Sequence, residues 1–159
     1  MGKINSGVYP VYENEFMVGA TKETATPISE MESCSVSIDN GVETWTPFTA
    51  EGWQSALQTA KAITISVSGK RDIGDTGNDY VAGKAFVNGQ AAYGYFCWNL
   101  PDGTKVSWDK AVYSVTNISA GDSTGVAPLE FEIASNGKPK ITAEGQAASV
   151  SSTGGKASS

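Results

Sequence analysis

Three short stretches alternate apolar and polar residues with strict period two, and that rhythm restricts the fold more than any other feature of the chain. In SCSVSID, Cys34, Val36 and Ile38 fall on one side while Ser33, Ser35 and Ser37 fall on the other. In AITISVS, Ile63, Ile65 and Val67 oppose Thr64, Ser66 and Ser68, and in LEFEI, Leu129, Phe131 and Ile133 oppose Glu130 and Glu132. Successive side chains of a strand point to opposite faces, so each stretch reads as a strand with one dry and one wet face, the habit of antiparallel sheets. PDGT at Pro101–Thr104 separates two further strand-like runs and predicts a hairpin. The class that follows is all-β, an antiparallel sandwich or partial barrel.

One segment departs from this rhythm. From Asn78 to Val87 the apolar residues Tyr80, Val81, Ala85 and Phe86 are spaced as a helical stripe, Asp75 or Asn78 is placed to cap it, and Asn88-Gly89 offers a left-handed stop. Between the strands ending near Ile38 and starting near Ile63 lies a long connection, Asn40 to Ala60, which holds Trp45, Phe48, Trp53 and Leu57. Connections of this length are functional or disordered, and residues that seek burial argue against disorder. Their cover is either a neighbouring subunit or a satellite core beneath the loop. The run from residue 144 to 159 is Gly, Ser and Ala with little to bury, and is expected to be a flexible tail following a single domain over 1–143, whose first 30 or so residues form an N-terminal arm.

Composition removes several functional classes. The 159-residue chain has no histidine, so the commonest general base, the usual zinc ligand and every histidine-containing triad are missing. A net charge of −6 argues against gripping nucleic acid through its phosphates, though not against a surface that DNA passes without sticking. Cys34 and Cys97 are too few for a zinc site and read as small buried hydrophobes, a disulfide between them being the alternative. No run is apolar enough to span a bilayer and the first residues lack the build of a signal peptide, so synthesis in a cytoplasm and no membrane partner are expected.

The stretch GKRDIGDTGNDY, Gly69 to Tyr80, resembles a site by composition. A calcium loop fails on spacing: counting from Asp72 puts Gly74 where a ligand belongs and Gly83 where the closing glutamate belongs, and counting from Asp75 puts Tyr80 at the required glycine. A phosphate loop fails because Lys70 is followed by Arg71 rather than Ser or Thr. Asp72, Asp75 and Asp79 could serve a carboxylate hydrolase, but they are better explained as loop and cap residues. A sugar-binding sandwich would use Trp45, Trp53, Trp98 and Trp108 as stacking platforms, yet Trp98 and Trp108 lie within the strands flanking the PDG turn. No catalytic residue, cofactor or metal is expected.

Taken in order, VETWTPFTAEGW, the Thr59 to Lys61 T-x-K, ITISVSGKRDIGDTGNDYVAG, FCWNLPDGTKVSWDK and ISAGDSTGVAPLEFEIASNGKP resemble the tail tube (major tail) proteins of long-tailed bacteriophages, from about Ser33 to Lys140. The resemblance implies a β-sandwich with a flanking helix, six copies closing into a ring, and rings stacking into the hollow tube that carries the genome out of the capsid. It implies a virion protein made in a bacterial cytoplasm, with tape measure, tail terminator and distal tail proteins as partners and DNA only in transit. The tube of a contractile tail is a close variant. On this reading Ser35, Ser37, Thr64, Ser66, Glu130 and Glu132 line the channel, where lysine or arginine would hold phosphates. Trp45, Phe48, Trp53 and Leu57 would reach neighbouring subunits, and Arg71, Asp72 and Asp75 would form a charged assembly joint.

Overall fold

The computed structural model describes residues 4–143, so the expected tail over 144–159 lies outside the described residues. Among the described residues eight strands form one antiparallel sheet: β1 (Glu15–Gly19), β2 (Thr26–Pro27), β3 (Met31–Trp45), β4 (Ser55–Lys70), β5 (Tyr93–Asn99), β6 (Thr104–Ile118), β7 (Pro128–Ala134) and β8 (Lys140–Ala143). Their order is β2-β1-β5-β6-β7-β4-β3, with β8 beside the start of β6. Strand β6 belongs to both halves: Thr104–Ser107 pairs with β8, while Val112–Ile118 pairs with β7. A register shift in the β5–β6 ladder, where Gly94 to Phe96 faces Trp108 to Ala111, falls between these two parts of β6. The sheet therefore folds over itself as a partial sandwich, with its two ends, β1–β2 and β3, on either side of an open seam.

The alternating runs do what their period requires. Ile65 and Val67 of β4 and Leu129, Phe131 and Ile133 of β7 are buried against Phe16 and Val18 of β1, Phe96 of β5 and Val106, Trp108 and Tyr113 of β6. Burial of large aliphatic and aromatic side chains is worth about 1.5–3 kcal/mol each, and this cluster is what makes the halves one body. The PDG hairpin forms as expected between β5 and β6: Gly103 takes a positive φ of 96°, Leu100 N–H donates to Thr104 O at 2.8 Å, and the Asp102 carboxylate accepts from Thr104 N–H. Part of the expected N-terminal arm is core strand, since β1 pairs with β5 along its whole length.

Two expectations are corrected. The helix, α1, runs Thr76–Ala82 and stops at Gly83, short of Val87. Asp75 is its cap, accepting from Asn78 N–H at 2.9 Å. Glycine disfavours helix continuation, and Lys84 and Ala85 N–H turn back to the carbonyls three residues earlier. Phe86 thereby leaves the stripe and is 91% exposed, while Val81 is fully buried. The connection from Asn40 to Ala60 is not a loop. Strands β3 and β4 continue through it as a hairpin, paired from Met31↔Gly69 to Trp45↔Ser55, and only 46–54 turns.

Candidate functional site

Cross-strand register assembles a polar wall from the wet faces of four strands. Ser35 of β3 lies opposite Ser66 of β4, Ser66 opposite Glu132 of β7, and Glu132 opposite Ser114 of β6. The neighbouring rows place Ser37 opposite Thr64, and Ser33, Ser68, Glu130 and Asn117 in line. All six residues expected to line a channel are thus on one face of β3-β4-β7-β6. Ser114 and Thr116 complete it, and their alternation in β6 is the sequence signal that marks them. A shallow groove of about 230 Å³ runs between Ser35, Ser66, Thr116 and Glu132.

This four-stranded wall is open on both edges. Strand β3 ends the sheet, and beyond Val112 β5 no longer pairs with β6. Rows of unpaired backbone groups of this length invite another strand.

Past Ile63 the wall loses β7, because Ser135 closes it: Ser135 N–H donates to Ile63 O at 2.9 Å and its hydroxyl accepts from Ile63 N–H at 3.1 Å. From there the β3–β4 hairpin continues alone as an arm, its base tied by Lys61 Nζ donating to Asn40 Oδ1 at 2.6 Å. A register shift between Gly41 and Val42 leaves Thr59 without an opposite residue. That extra residue switches the parity of β4, so Leu57 pairs with Glu43 and shares a face with Trp45. No satellite core covers them: Trp45 is 49%, Leu57 59% and Trp53 79% exposed, and Phe48 is fully exposed. An isolated two-stranded hairpin is marginal in water, so this arm gains most from a partner surface.

At the other end, Arg71, Asp72 and Asp75 form a joint within the chain. Arg71 Nη1 donates to Asn78 Oδ1 and Asp79 Oδ1, both at 2.8 Å, and Asp72 accepts from the Ser29 hydroxyl at 2.7 Å. Asp75 accepts from the backbone N–H groups of Ser29 and Asn78. Burial pushes the Asp75 carboxyl up, but the hydrogen bonds from Asn78 and Ser29 together outweigh it and hold it below the ordinary carboxylate range. At the centre is fully buried Asn78, which takes Asp72 N–H at 3.0 Å and gives Nδ2–H to Lys70 O at 3.0 Å. In sequence Asn78 reads only as a possible cap, because a polar residue between Gly77 and Asp79 carries no sign of burial.

The arrangement offers little to the rival chemistries. Asp72, Asp75 and Asp79 each face different donors, and among the described residues no three Cys, Asp or Glu side chains converge on a metal-sized space. Trp108 is buried with Nε1–H on Gly137 O, and Trp98 gives Nε1–H to Asn14 Oδ1, so neither ring is a free stacking platform. Cys34 and Cys97 are both free thiols, and burial pushes both up from the usual thiol range.

No family profile and no curated protein matches the chain. Solved structures do. A chain from the tail of an empty gene transfer agent particle, refined with helical and C6 symmetry, superposes with a TM-score of 0.67 at 21% identity, covering 86% of this chain and 100% of that one. A chain from the virion of the native gene transfer agent particle gives 0.66 at 20%, with the same coverage. A chain in the sheath/tube terminator of an extracellular contractile injection system in its extended state gives 0.62 at 15%, covering 87% of this chain and 99% of that one. The class these likenesses define is a fold: an all-β body with one short helix, shared with chains of tails and contractile injection systems.

Proposed function

We propose that this chain is a structural tail protein that closes into rings of six, stacked as a hollow tube through which phage DNA passes. The observation that carries the reading is the four-stranded wall, polar across the rows of Ser66 and Ser68 and turning apolar only at Ala134 and Val112 beside Thr64, with two open edges. Pairing β3 of one copy with the free edge of β6 in the next satisfies both edges and extends the polar rows around a closed barrel. Six copies contribute twenty-four strands. At a strand spacing of about 4.8 Å and a tilt of about 40°, the backbone cylinder is roughly 48 Å across, leaving ~35–40 Å between inward side chains. A duplex fits through with water around it.

Serine, threonine and glutamate suit such a lining because they give phosphates nothing cationic to hold. The arm, with Trp45, Phe48, Trp53 and Leu57, reaches the adjacent ring. Arg71, Asp72 and Asp75 set the shape of the opposite end, where the next ring is met. Tape measure, tail terminator and distal tail proteins are the expected partners, the mature location is the virion, and a tube inside a contractile sheath would use the same subunit.

Changing Glu130 and Glu132 together to lysine tests the channel face. Tubes should still form but should retain DNA at low salt and release it at high salt, in a co-sedimentation assay. Equal, negligible DNA binding by variant and parent at low salt would remove these glutamates from the lumen.

A further inference from the structure

Two apolar features on opposite flanks of the wall remain unused. The first is Phe86, on the turn after α1 and almost wholly exposed. Its neighbours Ala85 and Val87, with Lys84, form one side of a groove of about 500 Å³ whose other side is Val112–Val115 of β6, beside the free edge. The second is a groove of about 360 Å³ in the open seam between β1 and β3, floored by Phe16, Ile28, Met31, Cys34 and Val67. All five pack on the core, yet the seam leaves them a common opening.

Register ties the two flanks together. Cys34, Val67, Phe131 and Val115 form one cross-strand row, with the seam groove at its β3 end and the Phe86 turn at its β6 end. Charge agrees: Glu15, Glu30 and Glu32 line the seam groove, Glu32 being shared with Lys70, whereas the Phe86 flank carries the Lys84 ammonium. Lys84 donates to Ala91 O and Tyr93 O and lies over the Tyr80 ring, which fixes it beside the turn.

We infer that Phe86 of one copy inserts into the seam groove of the next copy in the ring, as a lateral lock behind the β3–β6 strand contact. This rests on the tube reading above and adds the receiving site and the inserted residue. The contact is heterologous, knob on one flank and hole on the other, so it propagates around a ring and does not stop at a two-fold dimer. A phenyl ring needs less than the available volume, and the acidic rim facing Lys84 would select orientation more than strength.

Cys34, in the groove floor, makes the contact chemically readable. Phe86→Cys protein, treated with a short bis-maleimide at assembling concentration, should give a ladder of linked oligomers; the reagent spans the space of the missing ring, which a direct disulfide, needing the two Cα atoms within about 7 Å, does not. The ladder should vanish in Phe86→Cys/Cys34→Ser. Separately, Phe86→Asp should keep the parent's melting temperature, as expected of an exposed site, but lose ring formation at least tenfold in critical concentration. Cross-linked dimers that persist without Cys34 would overturn the proposal, as would normal tubes from Phe86→Asp or tubes of Phe86→Cys that never cross-link. In those cases the parent's tubes would leave the tube reading standing; a parent that assembles under no condition would sink both.

Discussion

Replacing Asn78 by alanine probes the joint that shapes the end of the subunit opposite the arm. The side chain is fully buried and makes four bonds: Oδ1 accepts from Arg71 Nη1 and Asp72 N–H, and Nδ2 donates to Lys70 O at 3.0 Å and Ser29 O at 3.4 Å. Alanine removes them all. Arg71 keeps Asp79, and the long bond to Ser29 is weak, so the cost concentrates in Asp72 N–H and Lys70 C=O. Leaving a buried polar group without its partner costs about 1–3 kcal/mol, so two partly buried groups cost about 3 kcal/mol. Alanine's better helix propensity returns roughly half a kcal/mol, for a net loss near 2.5 kcal/mol. In a chain of this size that lowers the melting temperature by roughly 5–10 °C. Urea denaturation of Asn78→Ala beside Asp79→Ala is the assay, with the exposed Asp79 expected to cost less than half as much. A loss below about 1 kcal/mol for Asn78→Ala would refute the claim that this residue organises the joint.

Truncating Trp45 and Trp53 to alanine should leave monomer stability nearly unchanged by circular dichroism and abolish tube formation in sedimentation; unfolding of either single variant would place that ring in the subunit's own core, where its loss costs about 3–5 kcal/mol. Gly94→Ala should destabilise by about 1–3 kcal/mol, because the added methyl would overlap the Tyr80 hydroxyl and sit 2.9 Å from the Tyr113 ring; a neutral thermal melt would contradict the close packing of α1 on β5 and β6. Asp75 has a lowered folded-state value, so its contribution is complete above the unfolded range near pH 4 and is lost as pH falls through the folded value; Asp75→Asn should flatten that part of the urea midpoint against pH, and an unchanged acid limb would show that the cap carries no such linkage.

The strands that became the wall were legible because each has one covered face, which forces strict alternation on Ser35, Ser66 and Glu132 and their apolar neighbours. The PDG hairpin and the Asp75 cap were legible from local turn chemistry. The arm was not: neither of its faces is covered within the subunit, so Val42, Trp45 and Leu57 follow no period, and one unpaired residue, Thr59, shifts parity midway. The helix end was hidden because Gly83 fits the interior of an apolar stripe as well as its stop, and only the stop leaves Phe86 in solvent. The seam groove is built from Phe16, Met31 and Val67, residues distant in sequence that meet only through the sheet's long-range pairing and the β5–β6 irregularity between Trp108 and Ala111.

Electron microscopy of the purified, concentrated protein is the most direct measurement of the central claim. Hollow tubes or six-fold rings are expected, with a continuous β-barrel wall and Ser35, Ser66 and Glu132 facing a lumen ~35–40 Å wide. A monodisperse monomer at every concentration and salt tested, or filaments with the polar rows on their outer surface, would contradict it.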